Sequence, residues 1–204
     1  MKDIKWIFFD VGSTLIDETE AFNHRVREMT AGTSVSFDEF NEKRAYFAGQ
    51  NLNGELEAIK FFGLTKTPWH KEDEIPYPES EEILEYLHKG GYKIGIIANQ
   101  SAGTAERLEK WGLLKYIDVV AASAELGAAK PDRAIFDKAF EMAGCTAEES
   151  AMIGDRLDND IRPAKQLGMK SVWVRHEWNY NYPKDDGERP DHIVEELMEL
   201  KKIF

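Results

Sequence analysis

Short apolar runs alternate with amphipathic stretches along most of the chain. Trp6-Ile7-Phe8-Phe9 reads as a buried strand ending at Asp10, and four more runs follow: Tyr92–Ala98, Ile117–Ala121, Ala151–Ile153 and Ser171–Val174. Between them, apolar positions recur at helical spacing over Ser80–Lys89, Gly103–Trp111, Pro131–Ala143, Asp158–Leu167 and Asp191–Lys201. This alternation predicts an α/β fold built on a parallel sheet. Polar and charged residues gather just after the strands, which in an open parallel sheet is the edge where ligands bind.

One segment breaks the pattern. From Asp17 to Tyr77 no strand pattern appears, while helices are predicted over Thr19–Thr30, from the capping-box spacing of Ser36 and Glu39, and over Gly54–Phe62. Pro68, Pro76 and Pro78 then punctuate the return. The expected organisation is a core of residues 1–16 and 78–204 with a helical cap, residues 17–77, inserted after the first strand.

Charge and composition narrow the partners. The 204 residues carry a net charge of -12, which argues against nucleic acid and anionic membranes. No run approaches the about 20 apolar residues of a membrane span. The N-terminal residues lack the apolar stretch of a secretory signal. The single cysteine, Cys145, excludes an internal disulfide and fits a reducing compartment. A soluble cytoplasmic protein is expected.

Four pieces carry the candidate chemistry. In "WIFFDVGSTL", Asp10 ends a strand and is presented at the sheet edge on a rigid support, as a nucleophile must be. In "IGIIANQSAG", Asn99, Gln100 and Ser101 precede a helix start, where amide and hydroxyl groups can hold phosphate oxygens. In "AAKPDRAIF", Lys130 precedes Pro131, which is expected to open a helix. A lysine at the sheet edge can neutralise both a carboxylate and a phosphoryl group. In "AMIGDRLDND", Asp155 ends a strand, with Asp158 and Asp160 just beyond. Acids gathered there with Asp10 would form a hard-oxygen site suited to Mg²⁺.

Taken together and in this order, the four pieces resemble the signature motifs of the haloacid dehalogenase superfamily, with its type-one helical cap between the first two. The resemblance spans nearly the whole chain. It implies a Rossmann-like three-layer core and a magnesium-dependent phosphatase that hydrolyses a small-molecule phosphomonoester through an aspartyl-phosphate. Asp10 matches the nucleophile and Lys130 the basic residue of the third motif. Asp10, the backbone carbonyl of Gly12, Asp155 and Asp160 match the metal ligands.

Two positions depart from the pattern. Gly12 stands where the family's phosphatases usually carry a second aspartate as general acid and base, and Ala98 stands where a phosphate-binding Ser or Thr is usual. Those departures keep open a weakly or non-catalytic member that binds a phosphorylated ligand or a partner protein. A 2-haloacid dehalogenase, using the same nucleophile without metal, is a further alternative, against which Asp155 and Asp160 weigh. Asp17, Glu18 and Thr14 are expected to be hinge or solvated residues. His24, His70, His88, His176 and His192 show no metal-like spacing and read as surface or helix-end residues. Arg25, Arg27, Lys43, Arg44 and Lys60 read as a solvated basic face of the cap, Trp69 as a linker pin, and Trp178, Tyr180 and Tyr182 as loop aromatics.

Overall fold

The computed structural model describes residues 1, 3–50, 52–176 and 183–204. Six strands form one parallel sheet in the order β5-β4-β1-β6-β7-β8. They are β1 (Trp6–Phe9), β4 (Lys93–Ala98), β5 (Val119–Ala122), β6 (Ser150–Gly154), β7 (Lys170–Val174) and β8 (His192–Val194). The helices between them are α4 (Ser80–Lys89), α5 (Thr104–Lys110), the short α6 (Ser123–Leu126), α7 (Arg133–Ala143) and α8 (Arg162–Leu167).

Strand pleating divides the core in two. Ile7, Phe9, Ile94, Ile96, Ala151 and Ile153 face one layer, and Phe8, Ile97, Met152, Ile135 and Phe136 the other. Both faces are buried, so the strands read as nearly continuous apolar runs. At β4 the close approach of a ring demands a glycine: a Cβ on Gly95 would lie 2.4 Å from the Phe8 side chain. The fold is Rossmann-like. Because β1 sits between β4 and β6 and the chain reverses its lateral direction there, the carboxyl ends of these three strands form the crevice where such sheets bind ligands.

Contacts divide the chain into two compact units. One comprises Met1–Ile16, Pro76–Arg175 and Pro183–Phe204, and Asp17–Ile75 lies in the other. Strands β2 (Ile16–Asp17) and β3 (Ile75–Pro76) form a separate two-stranded sheet where the chain crosses. The smaller unit holds α1 (Thr19–Thr30), α2 (Phe37–Ala48) and α3 (Gly54–Phe62) around Val26, Met29, Phe40, Ala58 and Ile59. Ser36 and Glu39 close the capping box at the start of α2.

Three local expectations are corrected. Residues 191–201 do not form one helix. Asp191 accepts hydrogen bonds from the Ser171 amide at 2.9 Å and its hydroxyl at 2.8 Å, which docks the β-branched Ile193-Val194 beside β7 as the edge strand β8. Only a 3₁₀ turn, Leu197–Lys202, follows. Pro131 does not open a helix, because Asp132 caps α7 by accepting from the Ala134 amide, so the helix starts at Arg133. The expected helix after Asp158 begins as a π-helical segment, Leu157–Ile161, before α8.

Candidate active site

Asp10 follows β1, its amide donating to the Ile153 carbonyl at 2.9 Å as though extending the ladder to β6. Its Oδ1 accepts from the Val11 amide at 2.7 Å and pairs with Lys130 Nζ at 2.8 Å, which fixes the carboxylate's orientation. The chain then curls tightly. The amides of Thr14, Leu15 and Ile16 all point at the Val11 carbonyl, at 3.3, 2.9 and 3.0 Å, and Ser13 takes a left-handed φ of 54°. Gly12 lies within this curl, bridged to Ile16.

Lys130 is the hub. Its side chain is 1% exposed, and Nζ reaches Asp10 Oδ1 at 2.8 Å and Asp160 Oδ1 at 2.6 Å. Burial works against its charge, yet the carboxylates of Asp10 and Asp160 outweigh it and hold the ammonium above the ordinary lysine value. Asn99 holds the Lys130 backbone at both ends of its amide: Nδ2 donates to the Lys130 carbonyl at 2.8 Å, and Oδ1 accepts from the Lys130 amide at 2.7 Å. Its side chain is therefore engaged in positioning the lysine, a different use from the phosphate contact expected of it. Gln100 Oε1 accepts from Arg107, while Ser101 is exposed and its carbonyl accepts from Thr104.

Beyond β6, Asp155 and Asp160 are both buried. The Asp155 carbonyl is fixed by Trp173 Nε1 at 2.7 Å, and Asp160 Oδ2 accepts from the Arg156 amide at 3.0 Å. Asp158 does not join them; it pairs with Arg156 at 2.7 Å and is turned to solvent. One oxygen each from Asp10, Asp155 and Asp160 lies within 4.8 Å of the others. Burial is the chief influence that pushes the Asp160 carboxyl up to about 6; Lys130 opposes it and the like charge of Asp10 adds to it. Three carboxylates against one ammonium leave the cluster short of positive charge, and hard oxygen donors in that arrangement fit a divalent cation such as Mg²⁺.

In the smaller unit, the basic residues are committed to local partners. Arg25 is buried, pairs with Glu55 at 2.7 Å and stacks on Trp69 at 4.4 Å. Trp69 Nε1 donates to Glu74 at 2.6 Å. Arg27 pairs with Glu20 and Lys60 with Glu57, while Lys43 lies over Phe61 and Arg44 over Phe22. His24 and His70, read as surface or helix-end residues, come together: their rings stack with centroids 3.6 Å apart, next to Asp73. A separation of 46 positions hides that pairing from any local spacing rule. Trp178, Tyr180 and Tyr182 lie outside the described residues. No helix among the described residues is long and apolar enough to cross a membrane.

A Rossmann-like sheet with a lysine-bridged acid cluster at its carboxyl edge defines an α/β protein with a strand-end, cation-ready site. The haloacid dehalogenase-like hydrolase family matches residues 7–174, and the chain belongs to it: it is a hydrolase of the haloacid dehalogenase superfamily. It is 29% identical to a glyceraldehyde 3-phosphate phosphatase of Methanocaldococcus jannaschii, over 98% of this chain and 96% of the relative. It is 33% identical to a phosphoserine phosphatase of Thermus thermophilus over 61% of this chain and 49% of the relative. The crystal structure of a phosphatase of this superfamily from Thermococcus onnurineus superposes with a TM-score of 0.69 at 26% identity, covering 98% of this chain and 97% of that one.

Proposed function

We propose that this hydrolase is a magnesium-dependent phosphatase acting on a small phosphorylated metabolite through an aspartyl-phosphate on Asp10. The observation that carries the reading is the placement of Lys130 Nζ between Asp10 and Asp160, with Asp155 in the same cluster. Asp10, Asp155, Asp160 and the Gly12 carbonyl would hold Mg²⁺, which when bound neutralises charge on phosphoryl oxygens.

Asp10, held by Val11 and Lys130, attacks phosphorus. The new Asp10 O–P bond forms as the bond to the ester oxygen breaks, and the alkoxide leaves, taking a proton from water. Lys130 offsets the charge that gathers between carboxylate and phosphoryl group. A water molecule then attacks phosphorus, the Asp10 O–P bond breaks, and inorganic phosphate departs with the carboxylate restored. Gly12 supplies no side chain for proton transfer, so good leaving groups suit this site best.

The relatives matched along nearly their full length are glyceraldehyde 3-phosphate phosphatases, which supports a phosphorylated metabolite of triose size. Phosphate release from glyceraldehyde 3-phosphate and from p-nitrophenyl phosphate is expected to require Mg²⁺ and to vanish in Asp10→Asn. A second reading, a binder without turnover, rests on Gly12 and Ala98. Equal residual release by wild type and Asp10→Asn would favour it.

A further inference from the structure

His24 and Glu28 stand one turn apart on α1, while His70 precedes the 3₁₀ turn Lys71–Asp73 and Asp73 ends it. The two imidazoles stack at 3.6 Å with their planes only 10° apart. His24 Nδ1 meets Asp73 Oδ2 at 2.8 Å. On the other ring edge, Glu28 Oε2 meets His70 Nε2 at 2.9 Å and Glu28 Oε1 lies 3.9 Å from His24 Nε2. Glu72 reaches His70 Nδ1 at 3.0 Å. One donor atom from each of His24, His70 and Asp73 lies within 4.8 Å of the other two. The His70 side chain is only 16% exposed.

We infer that His24, His70 and Asp73 form a second metal site, selective for a borderline divalent ion such as Zn²⁺ over Mg²⁺. The donor chemistry sets that preference: imidazole nitrogens suit zinc, copper and nickel, whereas magnesium keeps to oxygen. Around a tetrahedral zinc with bonds of about 2.0–2.1 Å, neighbouring donors stand about 3.3 Å apart. From separations of at most 4.8 Å the donors need to close by no more than about 1.5 Å, and the stacked rings must splay so that both lone pairs meet one ion. With the ion on the Asp73 side, Glu72 gives up its contact with His70 Nδ1, while Glu28 stays on the Nε2 edges and orients the rings, as carboxylates behind metal-bound histidines do. An ion there ties α1 to the 70–73 turn, so it stabilises the fold of the smaller unit without entering the chemistry at Asp10.

The test uses the full chain, stripped of metal and held in excess Mg²⁺ to saturate the oxygen-only cluster. Calorimetric titration with Zn²⁺ is expected to show one saturable equivalent and a raised Tm. Affinity falls about tenfold or more in His70→Gln and in the isosteric Asp73→Asn, and is retained in Asp155→Asn. Titration of wild type with Co²⁺ needs no variant, and is expected to give the intense visible bands of a tetrahedral ion with nitrogen donors. Zinc binding that persists in His70→Gln but disappears in Asp155→Asn overturns the site, as does a wild type that binds neither ion in excess Mg²⁺.

Discussion

A Cβ on Gly154 would stand 2.3 Å from Oδ2 of Asp160, so the last residue of β6 is a glycine because the acid occupies the space a side chain would take. The same acid pairs with Lys130 at 2.6 Å, and a change at position 154 therefore reaches the acid cluster directly.

Gly154→Ala is expected to displace Asp160 by an amount on the order of 1 Å and to lower kcat/KM about 10²-fold. Overpacking should also cost about 1–3 kcal/mol in urea denaturation. Wild-type kinetics in a folded Gly154→Ala protein would show that the position of Asp160 is unimportant.

Lys130→Met separates charge balance from turnover. Removing the ammonium leaves the carboxylates of Asp10 and Asp160 facing each other without a counter-charge, which should destabilise the metal-free protein by about 3–5 kcal/mol. Mg²⁺ supplies the missing positive charge, so the variant should bind Mg²⁺ more tightly than wild type and recover stability with it, while turnover stays low. Calorimetry and denaturation with and without Mg²⁺ measure both; weaker Mg²⁺ binding would contradict the charge argument.

Gly12 brings no side chain to the curl that follows Asp10. Gly12→Asp is expected to add a proton donor and raise turnover on alkyl phosphates by about 10²- to 10⁴-fold, with a smaller gain on aryl phosphates. Rates across a leaving-group series test this; wild type should show a steep dependence that flattens in the variant.

Burial pushes the Cys145 thiol up to about 11, with the charge of Glu149 adding to it. An ordinary thiol ionises near 8.5. The folded state keeps its proton between those values, so this group favours the unfolded chain as the pH climbs through that window. At pH 8 the smaller thiolate fraction outweighs its greater nucleophilicity, and iodoacetamide should label the native protein roughly 20-fold more slowly than the urea-unfolded chain. Equal rates would place the thiol in an ordinary environment.

Much of the fold was legible because its strands are short apolar runs with polar ends, and Ile94, Ile96 and Ile97 could be little else. Residues 191–201 misled because Asp191-His-Ile-Val-Glu-Glu-Leu has helical spacing, while its docking depends on Ser171, twenty positions away. Asp10 and Asp155 could be singled out at strand ends, while Lys130 and Asp160 took their roles from the resemblance of the combined motifs, and the structure brings all four together. The use of Asn99 was hidden, since an amide before a helix serves a phosphate or a backbone equally well until its partners are known. The pairing of His24 with His70 depended on how the smaller unit folds, which no local pattern records.

We expect Asp10 to carry the phosphoryl group during turnover. Borohydride added during turnover reduces an acyl phosphate, so mass spectrometry of the trapped protein should find homoserine at position 10, and only with Mg²⁺ and substrate both present. An unmodified aspartate at position 10, recovered while phosphate release proceeds at its full rate, would contradict the account.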